Sequence, residues 1–179
     1  ALPASFDLAA IESQAEQLTW GSRVPGISMS IVQGGKVLSA RGYGVTDVSN
    51  PEPVDAHTVF RLASLSKAFA GTMAGLLVED GTLRWDSRVV DYVPDFALNN
   101  PAATQSLTVA DVLSHRVGLP YNAFDRDVEA NAEYHTLTRR LANAPMTCQP
   151  GQCYAYQNVA FSLIGDVVFA ASGNFYEQA

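Results

Sequence analysis

Ser64-Leu-Ser-Lys-Ala-Phe-Ala-Gly-Thr-Met-Ala-Gly-Leu-Leu-Val-Glu-Asp-Gly81 is the stretch on which the reading of this chain turns. Leu65, Phe69, Met73, Leu76 and Leu77 recur at spacings of three and four, the period of an amphipathic helix. Gly81 after Glu79-Asp80 supplies a stop, and Ser64 or Ser66 is a candidate N-cap. On a helix, positions i and i+3 share a face, so Ser64 and Lys67 become neighbours. A serine hydroxyl is a poor nucleophile at neutral pH until a base takes its proton. A lysine serves as that base only where desolvation or a nearby cation lowers its pKa. The apolar run after Lys67 would bury its stem, and the start of the helix offers the Ser64 N–H to an oxyanion. The same residues also read as a cap followed by a lysine snorkelling to the surface. Ser-x-x-Lys alone leaves both readings open.

Working outward, residues 5–20 read as an amphipathic helix with Phe6, Leu8, Ile11, Ala15 and Leu18 near one face. Ile27, Met29 and Ile31 alternate with serines, Gly34-Gly35 follows, and Val37 to Val45 continues, which predicts a hairpin. Residues 46–57 read as loop and Val59 to Leu62 as a short extended run. Residues 82–107 are mostly irregular, with an apolar segment at Val89 to Val93. Thr108-Val-Ala-Asp111 is a capping box before a short helix, which Gly118-Leu-Pro120 breaks. The pattern predicts a polar helix over 125–143 and a strongly apolar one over 157–171. The fold class is α+β with a two-stranded sheet, and a lone hairpin needs further strands or a helix against its apolar face.

Composition narrows the function. Of 179 residues 47% are apolar and 16% charged, enough for a core and unlike a disordered chain. No apolar run approaches the roughly 18 residues of a membrane span. The net charge is −7, from 11 basic and 18 acidic residues, with no basic patch, which argues against nucleic acid and anionic membrane surfaces. Lys36 and Lys67 are the only lysines. Ala1 to Leu8 lacks the basic and apolar regions of a secretory signal. The chain is therefore cytosolic, or its signal has been removed. Cys148 and Cys153 flank Gln-Pro-Gly-Gln, whose turn brings the sulfurs within reach of each other. They read as a disulfide loop from an oxidising compartment or as two unrelated thiols. The first reading favours a periplasmic or secreted protein. His57, His115 and His135 have no metal spacing, so no metal or cofactor is expected.

Tyr156-Gln-Asn158 lies six residues after Pro150-Gly151. A tyrosine with pKa near 10 is a poor base in water, but the Lys67 cation would favour its phenolate. Asn158 offers an amide that could hold both Lys67 and a substrate carbonyl. In isolation the tripeptide also reads as a packed tyrosine at a helix start.

Taken together, these residues resemble the penicillin-recognising serine hydrolases: the class C β-lactamase branch with its D-Ala-D-Ala carboxypeptidase and esterase relatives. Ser64-Leu-Ser-Lys67, preceded by Phe60-Arg-Leu-Ala63 as a short strand, is similar to the first family motif, and Tyr156-Gln-Asn158 to the second. Leu113-Ser-His-Arg-Val-Gly-Leu-Pro120 is similar to the family's Leu-Leu-Ser-His-x-Ser-Gly-Leu-Pro segment. The resemblance spans most of residues 8–178. It implies the β-lactamase/transpeptidase-like fold, an α/β sandwich joined to an all-helical domain. Residues 1–62 would supply the first helix and strands, and 63–179 the helical part with both motifs. It also implies an acyl-enzyme mechanism. Ser64 would attack a β-lactam, a D-Ala-D-Ala peptide or an ester, Lys67 and Tyr156 would share acid and base duties, and Asn158 would position Lys67 and substrate. Asn122 falls where relatives often carry a substrate-contacting Gln. The place of His115 in its segment suggests a structural role.

One departure stands out. The third motif, Lys-Thr-Gly or a His-x-Gly equivalent on a late strand, does not follow Tyr156. By resemblance, that strand supplies the second oxyanion N–H and completes the sheet. The chain thus reads as an amino-terminal portion of such a protein, whose partner would be the missing C-terminal segment. Losing an oxyanion donor typically costs about 10²–10³ in rate, so turnover by these residues alone is expected to be feeble. A non-catalytic penicillin sensor, acylated without turnover, is the competing class.

Overall fold

The computed structural model describes residues 3, 5–21 and 23–178. Ala1, Leu2 and Ala4, on which part of the leader reading falls, lie outside them, as do Ser22 and Ala179. The chain divides into two compact units, Ala1–Leu62 and Ala63–Ala179.

The first unit is a helix and a hairpin. Helix α1 spans Leu8–Leu18, capped by Asp7, whose side chain accepts from the Ala10 N–H at 3.0 Å. Strand β1 (Gly26–Gln33) pairs antiparallel with β2 (Lys36–Gly44). The turn residues Gly34 and Gly35 have φ of 56° and 74°, the doubly left-handed geometry that suits a two-residue hairpin and that glycine adopts without a Cβ clash. Along β1, Ile27, Met29, Ile31 and Gln33 are half-buried while Ser28, Ser30 and Val32 are exposed, matching the alternation in the sequence. Glu12 ties α1 to β2, accepting from the Ser39 hydroxyl and pairing with Arg41 at 3.3 Å. Residues 59–62 run without a strand partner, so the expected short strand at Phe60 to Ala63 does not form; Ala63 instead opens a 3-10 turn.

The second unit is helical and holds the larger core. Helices α2 (Ser66–Glu79), α3 (Pro101–Ser106), α4 (Val109–Leu113), α5 (Asp125–Glu129), α6 (Tyr134–Arg140) and α7 (Val159–Ser172) follow in order. Helix α7 is its axis, burying Val159, Ala160, Phe161, Leu163, Ile164, Val167 and Val168. Helices α2, α4 and α6 pack on it. The buried face of α2 is not the stripe of large residues that the sequence suggests. Ala70, Ala74 and Leu77 are buried, while Leu65, Phe69 and Leu76 are exposed. Small residues at i and i+4 let α2 approach α7 closely, and of the large ones Leu77 turns inward while Phe69 and Leu76 turn outward. No helix among the described residues is long and apolar enough to cross a membrane.

Local chemistry explains where the other boundaries fall. The capping box at α4 forms as the sequence predicts: Thr108 Oγ1 accepts from the Asp111 N–H at 3.1 Å, and Asp111 accepts from the Thr108 N–H at 3.2 Å. Helix α3 lies inside the segment expected to be irregular. Its signal is Asn100 as N-cap, accepting from Ala102 and Ala103, with Pro101 at the first helical position. The single helix expected over 125–143 is two helices and a 3-10 turn (Leu141–Asn143). Asn131 takes φ 59° between α5 and α6, and Glu133 starts a new helix by capping His135 and Thr136.

Cys148 and Cys153 form a disulfide in the loop before Tyr156. That loop packs against Gly118, whose φ is 94° and whose Cα faces the Cys148 carbonyl; a Cβ there would lie 2.3 Å from that oxygen. The Thr147 N–H also donates to the Gly118 carbonyl at 2.8 Å. Gly118→Ala should therefore cost about 2–3 kcal/mol of stability, since neither backbone can yield cheaply. Urea unfolding checks this; an unchanged midpoint would show that the approach is not tight.

Candidate active site

The site is built where the start of α2 meets the loop entering α7. Ala63–Leu65 forms a 3-10 turn, with Ala63 at φ 46°, and hands over to α2 at Ser66. A non-glycine residue at such φ is strained. No side chain caps α2, contrary to the expectation for Ser64 or Ser66. The Ser64 hydroxyl has other partners.

Lys67 Nζ donates to Ser64 Oγ at 3.2 Å and to Asn158 Oδ1 at 2.7 Å. The Tyr156 hydroxyl donates to Ser64 Oγ at 2.7 Å. Lys67 Nζ also lies 4.9 Å from the Tyr156 ring centre and 5.3 Å from that of Phe161, so aromatic faces shelter the ammonium. Ser64 is exposed, Lys67, Tyr156 and Asn158 half-buried. The Lys67 ammonium first, and the Ser64 hydroxyl second, hold the Tyr156 phenol below its ordinary value of 10.0; burial and the Asp125 charge oppose them. A phenol so tuned can give up its proton and accept the one on Ser64 through the same contact.

The Ser-His-x-x-Gly-Leu-Pro segment positions this tyrosine. The Asn122 N–H donates to the Tyr156 carbonyl at 2.9 Å, and the Ala155 N–H to the His115 carbonyl at 3.0 Å. The Gln157 N–H donates to His115 Nδ1 at 3.2 Å, while its buried side chain donates to the Pro120 carbonyl. The His115 ring lies 4.5 Å from the Tyr156 ring and stacks on Phe161 at 5.1 Å. His115 makes no hydrogen bond to Ser64 among the described residues and acts as a wall. Asn122 has φ 53° and a buried Oδ1 without a partner among the described residues. His57 and His135 have no part in this cluster.

Burial, and second the Lys67 charge, push the His115 pKa below its usual 6.5. The unfolded chain takes up a proton as pH falls through about 6.5, and the folded ring resists. The neutral ring's contribution is therefore complete above that pH and is lost as pH falls through the lowered folded value. Thermal unfolding between roughly pH 8 and pH 5 should decline more steeply for the native chain than for His115→Phe; parallel curves would contradict this.

Sequence reasoning missed Asp125, whose Oδ2 accepts from Asn158 Nδ2 at 2.8 Å. Nothing local marks it, since an acid at the start of a polar helix reads as a solvated residue. A groove of about 560 Å³ runs from Ser64 and Lys67 past Ala70, Phe161 and Ile164 to Tyr176.

The family model described as Beta-lactamase matches residues 11–179. The chain belongs to the beta-lactamase family. Its fold is accordingly the α+β, β-lactamase/transpeptidase-like one, of which the described sheet shows two strands. Among curated relatives, "Protein flp" of Staphylococcus aureus (strain MW2) is 28% identical over 157 residues, covering 87% of this chain and 32% of its own. The octameric penicillin-binding protein homologue from Pyrococcus abyssi superposes with a TM-score of 0.81 and 26% identity, covering 96% of this chain and 41% of that one. A class C beta-lactamase superposes with a TM-score of 0.77 and 26% identity, covering 98% and 48%. The chain spans about a third of the length of the curated relatives it matches.

Proposed function

We propose that the chain carries the nucleophilic centre of a serine hydrolase that acts through an acyl-enzyme, with β-lactams as its substrate class. The observation that carries this reading is the convergence on Ser64 Oγ of the Tyr156 hydroxyl at 2.7 Å and Lys67 Nζ at 3.2 Å. In the reactive form the Tyr156 phenol has first released its proton, which the neighbouring Lys67 charge favours, and Ser64 Oγ attacks the lactam carbonyl as its own proton passes to that phenolate. The C–N bond then breaks as the ring nitrogen takes a proton back from the same pair, leaving an ester on Ser64. Asn158 keeps Lys67 in place, and the Ser64 N–H faces the developing oxyanion. Likeness to a class C beta-lactamase supports β-lactams, and the comparable likeness to a penicillin-binding protein homologue makes peptides the second reading. The Cys148–Cys153 bridge supports a periplasmic or secreted setting.

Parallel incubation of the purified chain with nitrocefin, an N-acyl-D-Ala-D-Ala peptide and a p-nitrophenyl ester tests the substrate class. The β-lactam should give the fastest stoichiometric adduct by intact mass, with little turnover. Faster acylation by the ester would assign the site to an esterase instead.

A further inference from the structure

We propose that Asp125 is a positioning residue for the Ser64 site, fixing the Asn158 amide with its carbonyl oxygen turned to Lys67. This rests on the proposed function for its catalytic consequence, though not for its geometry. An asparagine amide has one accepting and one donating end of nearly equal shape, so its orientation is set by its partners. Lys67 as an ammonium only donates, and Asp125 as a carboxylate only accepts. The relay from Lys67 Nζ to Asn158 Oδ1 at 2.7 Å and from Asn158 Nδ2 to Asp125 Oδ2 at 2.8 Å therefore works in one orientation alone. Without the carboxylate the amide can turn, setting its NH2 against the ammonium and releasing Lys67 from its place beside Ser64.

Two features separate this role from a stabilising one. Asp125 Oδ1 is buried and takes no hydrogen bond among the described residues. That oxygen has lost its water and gained no partner in return, which does not stabilise the fold. Asp125 is also delivered by Phe124, whose φ of 66° is a strained backbone state for a bulky residue. The fold carries both costs at a position whose one side-chain bond goes to the amide that holds Lys67. The relay also occupies one of the two Nδ2 hydrogens of Asn158, leaving a single one for a substrate carbonyl.

Asp125→Asn, Asp125→Leu and Asp125→Glu would be compared with the native chain in two measurements. The first follows the Asn158 side-chain NH2 signals by 15N NMR, assigned through Asn158→Ser. Native signals should be shifted and slow to exchange; both features should be lost in the Leu variant, weakened in the Asn variant, whose Oδ1 can still accept but whose amide can also turn, and partly regained in the Glu variant. The second is Ser64 acylation by a β-lactam, expected to slow about 10²-fold in the Leu variant, and less in the Asn variant, through misplacement of Lys67. Melting temperatures should stay level or rise for the Leu variant. Unchanged NH2 signals with native acylation in Asp125→Leu would overturn the proposal, as would large losses of melting temperature in both the Asn and Leu variants, which mark a structural role. If the native chain is not acylated, the proposed function fails, and the NMR comparison still decides the role of Asp125.

Discussion

Ser64→Ala is expected to abolish covalent capture of β-lactams, lowering the acylation rate by at least about 10³-fold, because no other group can form the ester. The fold should be indifferent. Ser64 is exposed and, among the described residues, caps nothing and bonds through its hydroxyl only to Lys67 and Tyr156. The same change removes the second influence that holds the Tyr156 phenol low, so that phenol should titrate higher in the variant. Intact mass after incubation with antibiotic reads the first effect, and near-ultraviolet phenolate absorbance against a Tyr156→Phe reference reads the second. Retained labelling would move the nucleophile elsewhere.

Lys67→Ala should be nearly as damaging, slowing acylation by about 10²–10⁴-fold. Lys67 has three contacts that bear on Ser64: its bond to the hydroxyl, its bond to Asn158, and its charge beside Tyr156. Removing it should return the Tyr156 phenol towards 10, since Lys67 is the largest influence lowering it. Lys67→Arg keeps a cation there but cannot give up its proton, and its planar fork cannot reproduce the point contacts of an ammonium. It should preserve much of the phenol's shift while acylation stays slow. Lys36, exposed in the hairpin, is the only other lysine and serves as the control. A Lys67→Ala chain that acylates at the native rate would remove lysine from the chemistry.

Features written in short-range chemistry were legible in the sequence. The Gly34-Gly35 turn, the Thr108 capping box and the Gly81 stop each depend on one or two residues whose backbone needs are local. The pairing of Ser64 with Lys67 follows from helical spacing. The meeting of Ser64 and Tyr156, 92 positions apart, came only through resemblance to a family, because no periodicity reports it. The buried face of α2 is not legible from the large apolar residues, because Ala70 and Ala74 carry it and close helix packing favours small side chains. The break between α5 and α6 rests on Asn131 tolerating a left-handed φ, which a polar run conceals. Asp125 was invisible because its meaning lies in a contact with Asn158, 33 positions away.

Peptide mapping of the chain after reaction with a penicillin decides whether Ser64 is the nucleophile. One adduct of the antibiotic's full mass is expected, on the peptide containing Ser64, absent when Ser64 is alanine. An adduct on any other residue, or none after hours at saturating antibiotic, would contradict it.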